Sequence, residues 1–165
     1  MSASSIERQL GTALRDSGTT IATAESCTGG LIGSLLTDVP GSSDYFDRGF
    51  ITYSYDAKLK HLGVTREILD EHGAVSEPVA RQMARGARDV AGTTWGVATT
   101  GIAGPTGGSP EKPVGTVFIG VAYAGEWESG DSCSTVERHE FDGTREEIKT
   151  RIAQQALTDV LAELD

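Results

Sequence analysis

Segments whose apolar residues recur with a helical period alternate with short β-branched runs along nearly the whole chain. This alternation limits the fold more than any other feature. Ile6, Leu10, Ala13 and Leu14 make one apolar helix face, with Ser4 and Glu7 at capping-box spacing and Gly18 at its end. Residues 19–24 (TTIATA) read as a strand, and LIGSLLTDV as a helix closed by Pro40 and Gly41. A strand over 46–53 and two short helices near 56–62 and 66–71 follow. Ser76, with Pro78 in the first turn, opens a helix whose inner face is Val79, Met83, Ala87 and Val90. TWGVATT (94–100) reads as a buried strand running into the long loop GIAGPTGGSPEKP. VGTVFIGVAY and STVERHEF look like two paired strands, joined through residues 125–130. A last helix starts at Thr144, with Glu147 completing a capping box, and turns Ile148, Ile152, Ala156, Val160, Leu161 and Leu164 inward. Helices interleave with strands except for two consecutive strands late in the chain. The order predicts an α/β fold: a three-layer α/β/α sandwich with a mixed β-sheet. Residues 1–165 are expected to form one domain, large enough to bury roughly 70% of the surface of the unfolded chain.

Composition excludes several classes. No stretch approaches the ~20 apolar residues of a membrane span, and MSASSIERQL is too polar for a signal peptide, so a cytoplasmic protein without a membrane partner is expected. Cys27 and Cys133 offer no disulfide framework, and with histidines only at 61, 72 and 139 no zinc-site spacing exists. No metal and no cofactor are expected. The net charge of −10 repels phosphate backbones, which argues against nucleic acid as a partner. Lysine occurs only at 58, 60, 112 and 149, against ten arginines. Acidic, lysine-poor composition fits a high-salt cytoplasm, with an ordinary acidic enzyme as the alternative.

Two loops can carry chemistry. In ESCTGG a strand delivers Ser26, Cys27 and Thr28 to the start of a helix, where unpaired N–H groups suit an anion or a developing oxyanion. Local pattern also allows a plain N-cap and tight turn. TGIAGPTGG is rich in glycine but matches neither GxxxxGK[ST] nor GxGxxG, so neither ATP nor a dinucleotide follows from it. A nucleophilic serine needs a base. His61, His72 and His139 sit in segments that read as surface or helix flank, and a desolvated lysine is the other partner such a serine uses. Lys58, taken alone, reads as solvated surface.

Together these segments resemble the CinA C-terminal domain family, the nicotinamide-nucleotide amidohydrolases. The similarity runs from about Ile6 to Leu161 through TAESCTGGLI, GFITYSYDAKLKHLGV, HGAVSEPVA, TTGIAGPTGG, EKPVGTVFIG and FDGTREEI. The resemblance implies a mixed sheet, no metal and a homo-oligomer. It assigns Ser26 as nucleophile, Lys58 as base and Tyr53 beside the reacting group. Thr28, Gly29, Gly30, Ser43, Thr100, Gly101 and Arg145 would line a pocket for a small-molecule nucleotide, with Arg145 gripping its phosphate. Two positions depart from the family pattern: Tyr55 stands where Asn is usual, and Thr144 where Asp is usual. The implied reaction is deamidation of nicotinamide mononucleotide to nicotinic acid mononucleotide and ammonia, through an acyl-enzyme or a Ser26-oriented water. Some members of the family are fused to a second domain; none is apparent in these 165 residues, so the chain is expected to act alone. The competing classes are a nucleotide-binding module without turnover and a Mg²⁺-dependent phosphatase, whose carboxylate motif has no counterpart here.

Overall fold

The computed structural model describes residues 4–165. Five strands form one sheet in the order β2-β1-β3-β4-β5: β1 Ile21–Glu25, β2 Phe46–Ile51, β3 Trp95–Gly101, β4 Thr116–Tyr123 and β5 Cys133–Glu140. Parallel pairing of β1 with β2 and β3, and antiparallel pairing of β4 with β3 and β5, make the sheet mixed. Among the described residues six α-helices cover it: α1 Ile6–Ser17, α2 Leu31–Thr37, α3 Tyr55–Leu62, α4 Arg66–His72, α5 Glu77–Ala91 and α6 Arg145–Leu164. The expected three-layer α/β/α sandwich is what the chain forms. Among the described residues no helix is long and apolar enough to cross a membrane.

The two faces of the sheet are built from different residues, because side chains alternate along a strand. On one face Ile21, Val97, Val117, Ile119 and Val121 pack with Leu10, Leu14, Ile32, Leu36, Ile148, Ile152 and Leu157 from α1, α2 and α6. On the other face the strands offer Ala22, Ala24, Ala98 and Ala122 to Val79, Met83, Ala84 and Ala87 of α5, with Leu62 and Leu69 beside them. Small residues let α5 lie almost on the backbone. A Cβ added at Gly96 would stand 2.3 Å from the Ala84 carbonyl oxygen, and one at Gly120 2.7 Å from that of Ala80. The helix therefore docks in one position only.

Local expectations mostly hold, with corrections. The first helix is capped by Ser5, whose side chain makes no cap bond, rather than by a Ser4/Glu7 box. The strand over 19–24 is shifted to Ile21–Glu25, and that over 46–53 ends at Ile51, since Thr52 and Tyr53 turn toward α3. Val90, expected on the inner face of α5, is instead 54% exposed. Ser76 precedes α5, but its hydroxyl donates back to the Gly73 carbonyl at 2.8 Å instead of capping. Leu161 and Leu164 are only partly buried at the end of α6. Thr144 and Glu147 do form the reciprocal capping box, so threonine serves where aspartate was usual.

Candidate active site

The C-terminal ends of β1 and β3 lie side by side at one end of the sheet's strands, and β5, which runs in the same direction, brings the start of α6 to that end. Alternation along β1 sends Glu25 toward α2 and Ser26 toward α3. The Ser26 N–H continues the ladder by donating to the Thr99 carbonyl at 3.2 Å. The β-carbon period thus sends two adjacent side chains to opposite faces of the sheet.

Glu25 is buried and was missed by sequence reasoning. Its Oε1 accepts from the Thr28 hydroxyl at 2.6 Å, the Gly30 N–H at 3.1 Å and the Ile32 N–H at 2.9 Å, and its Oε2 from the Gly33 N–H at 3.1 Å. The carboxylate closes the start of α2 from inside. An anion site on those amides, as the sequence suggested, is therefore excluded. The Gly29 and Leu31 amides are taken as well, by the Ser26 and Thr28 carbonyls at 3.2 Å each. Among the described residues, only the Cys27 and Thr28 amides of this turn make no hydrogen bond to another residue. The signal that could have found Glu25 is a charged residue ending a buried strand directly before a helix whose amides need an acceptor.

Lys58 is fully buried, although its sequence context reads as surface. Ser54 caps α3 by accepting from the Ala57 N–H at 3.0 Å, which sets the first turn against the end of β1. From there the ammonium of Lys58 donates to Ser26 Oγ at 2.8 Å, to the Thr52 carbonyl at 2.7 Å and to the Tyr53 carbonyl at 3.2 Å. Burial holds the Lys58 pKa down at about 8, with the neighbouring Cys27 acting weakly in the opposite sense. Burial also pushes the Cys27 thiol up to about 12, so this cysteine beside the serine stays protonated and inert. With one proton lost, two N–H groups remain for the two carbonyls and the lone pair faces Ser26. A neutral amine in this position can accept a proton from the serine hydroxyl.

The other predicted residues divide into three groups. Tyr53 is 67% exposed at the rim, and its hydroxyl lies 3.4 Å from the Arg145 guanidinium, which also donates to the Gly104 carbonyl of the glycine loop. Gly29 is exposed beside the turn, and Gly30 lies against Ile51. Thr28 and Thr100 reach the same end of the sheet, but as framework. Thr28 binds Glu25 and lies 2.9 Å from the Thr99 hydroxyl, and Thr100 donates to the Ala74 carbonyl at 2.7 Å. Gly101 has no room for a side chain, with the Thr116 carbonyl 2.8 Å from its would-be Cβ. Ser43 is not brought to the site at all. It sits in the 3-10 turn Ser42–Asp44, before β2, at the opposite end of the parallel strands.

Tyr55 lines a groove between α3 and α4, and its hydroxyl accepts from the Ala74 N–H at 3.2 Å. Together Tyr55 and Thr100 hold both polar atoms of the Ala74 peptide units, steadying the loop before α5. The histidines stay outside the site. His61 and His72 are exposed; His139, on β5 rather than at a helix flank, bonds Asp159 at 3.1 Å and lies 3.7 Å from Glu137.

A family model, the CinA C-terminal domain, matches residues 3–164. The chain belongs to the CinA C-terminal domain family. A CinA-like protein of Syntrophobacter fumaroxidans is 53% identical over 152 residues, which cover 92% of this chain and 34% of that protein. A putative competence-damage inducible protein of Symbiobacterium thermophilum is 49% identical over 154 residues, covering 92% of this chain and 36% of its own length. The chain thus spans about a third of the length of these curated relatives. Among solved structures, the competence/damage inducible protein CihA of Agrobacterium tumefaciens superposes with a TM-score of 0.86 at 43% identity, covering 95% of this chain and 92% of that one. A competence or damage-inducible protein of Enterobacter asburiae reaches a TM-score of 0.89 at 30% identity, covering 99% of this chain and all of its own. CinA membership and the mixed-sheet sandwich are therefore settled together.

Proposed function

We propose that this CinA domain hydrolyses the carboxamide of nicotinamide mononucleotide, giving nicotinic acid mononucleotide and ammonia. The observation that carries the reading is the buried Lys58 amine 2.8 Å from Ser26 Oγ, its other protons directed at two carbonyls. A surface lysine would be charged and mobile; this one has a pKa of about 8 and a single open direction.

In the first half-reaction neutral Lys58 takes the Ser26 proton as Oγ attacks the amide carbon. The carbonyl oxygen becomes an oxyanion, for which the Cys27 and Thr28 amides, bonded to no other residue, are the free donors of the turn; one such donor is typically worth about 3 kcal/mol. Collapse breaks the C–N bond, and the Lys58 ammonium returns its proton to the leaving nitrogen, releasing ammonia. In the second half-reaction water attacks the Ser26 ester, Lys58 accepts its proton, and the acid leaves as Ser26 is reprotonated. Arg145 and Tyr53 stand at the rim, where the nucleotide portion would lie. We include self-association in this reading: Ile51 and Tyr53, both more than half exposed, lie on or next to the edge strand β2.

The test is the release of ammonia from nicotinamide mononucleotide in the presence of a chelator, with the nucleotide product identified by mass. Stoichiometric ammonia and nicotinic acid mononucleotide support the reading. Nucleotide binding without either product refutes it in favour of a binding module, and release of inorganic phosphate in favour of a phosphatase.

A further inference from the structure

Glu137, His139 and Asp159 meet between the edge strand β5 and the helix α6, three strands away from β1. Side chains two apart on a strand share a face, and those four apart on a helix do so too. Thr135, Glu137 and His139 of β5 therefore look toward Asp159 and Glu163 of α6. His139 Nε2 lies 3.1 Å from Asp159 Oδ2 and 3.7 Å from Glu137 Oε2, and all three ligand atoms fall within 4.8 Å of one another. Neighbouring donors bound to one ion at about 2.1 Å stand roughly 3.0–3.4 Å apart, from octahedral to tetrahedral geometry. A small rotation of the exposed Glu137 brings the set to that spacing.

Two of the three donors are already oriented. Asp159 Oδ1 accepts from the Gln155 side-chain amide at 2.8 Å, which leaves Oδ2 to face His139. The imidazole lies along the ring of Phe141, with centroids 5.8 Å apart and planes inclined by 17°. Such outer contacts are what fix ligand direction at metal sites.

The charges around the imidazole are not balanced by the chain itself. Among the described residues no lysine or arginine pairs with Glu137, Asp159 or Glu163. Glu163 only accepts from the Thr135 hydroxyl, at 3.2 Å. A proton on His139 would offset one of the three negative charges, whereas a divalent cation offsets two and sits between the donors. Beside the carboxylates a cavity of about 100 Å³ opens, lined by Thr135, Glu137, Thr158, Asp159 and Glu163. At about 30 Å³ per water, it has room for the waters that would complete a coordination shell.

We propose that His139, Asp159 and Glu137 bind a zinc-class divalent cation that ties α6 to the edge of the sheet. One imidazole with two carboxylates suits zinc better than magnesium, which takes oxygen ligands and keeps its waters. Sequence spacing hides the set, because it holds a single histidine and no cysteine and its third ligand lies 20 residues further on. The site goes beyond the amidase reading and does not depend on it.

Zinc chloride titrated by calorimetry into the chelator-washed full chain tests the site. About 0.15 M KCl screens diffuse attraction to an acidic surface. Wild type should bind one zinc per chain. At a hundredfold excess over the dissociation constant its melting temperature should rise by about 5–10 °C. His139→Gln and Asp159→Asn should each weaken binding more than about tenfold, with the zinc-induced shift measured against each variant's own metal-free melting temperature. Cys133→Ser and His72→Gln, at exposed groups that could capture zinc, should keep both affinity and shift. No zinc binding by wild type overturns the proposal, as does unchanged affinity in both His139→Gln and Asp159→Asn. Loss of binding in Cys133→Ser would move the metal to the thiol, and an equal shift with magnesium chloride would reduce it to charge screening; either result refutes the site. Ammonia release from nicotinamide mononucleotide should be the same in wild type and His139→Gln, so that failure of the metal site and failure of the amidase reading are seen separately.

Discussion

Replacing Glu25 by Gln tests whether one buried carboxylate holds the reactive turn in place. The isostere keeps one carbonyl oxygen, which can stay where Oε1 accepts from Thr28, Gly30 and Ile32. Its amide nitrogen then faces the Gly33 N–H, which is 3.1 Å from Oε2 in the wild type. One buried amide is left without an acceptor, at a cost of about 1–3 kcal/mol. The three retained bonds fall from charge-assisted to neutral, losing on the order of 1 kcal/mol each. Relief from burying a charge returns part of this. The net expectation is a destabilisation of about 2–4 kcal/mol. Urea unfolding near pH 7 should show it as a lower midpoint at unchanged slope. Thermal melting should fall by roughly 5–15 °C, at the 2–4 °C per kcal/mol usual for a chain of this size. Because Ser26 is the next residue, turnover should drop even at temperatures where the variant is folded. A loss below about 1 kcal/mol would refute the reasoning, since it would mean the four bonds contribute no more than a surface contact.

Other predictions concern the reacting pair, the rim and the charge. Since the neutral form of Lys58 is the base and its pKa is about 8, kcat/KM should rise about tenfold per pH unit below that value and level off above it; a flat profile from pH 6 to 9 would contradict this. Lys58→Arg should lose about 10²–10⁴-fold in kcat, because guanidinium keeps its proton, and near-normal turnover would leave the lysine supplying charge only. Arg145→Ala should raise KM for the nucleotide far more than for the phosphate-free riboside; equal losses would assign Arg145 to pinning the glycine loop at Gly104. With a net charge of −10, the melting temperature should increase between low salt and about 2 M KCl as self-repulsion is screened, and an unchanged value would retire the high-salt reading.

Helix periods and strand runs were legible because each element has one face in a core. Leu10, Leu14, Val97, Ile119 and Ile152 all mark the face toward α1, α2 and α6. The other face was nearly silent, since alanines and glycines under α5 carry no strong period. The ends of elements slipped by a few residues wherever a side chain from elsewhere decided them, as at Thr52, whose carbonyl turns to Lys58. Lys58 itself was invisible to pattern. Its burial follows from α3 docking beneath the end of β1, a tertiary fact that only the family resemblance anticipated. The same resemblance misplaced Ser43, which β2 carries to the far end of the sheet. Glu25 and the two open amides were missed because polar satisfaction depends on which donors are already taken.

The most direct test compares ammonia release from nicotinamide mononucleotide by wild type and by Ser26→Ala, each checked for folding by melting temperature. Removing Oγ deletes the atom that Lys58 faces at 2.8 Å and no partner of the core. The variant should melt near the wild-type temperature, still bind the nucleotide, and release ammonia at least about 10³-fold more slowly, as expected when a nucleophile is lost. Release within about tenfold of wild type would contradict the assignment of Ser26 and Lys58 as the reacting pair.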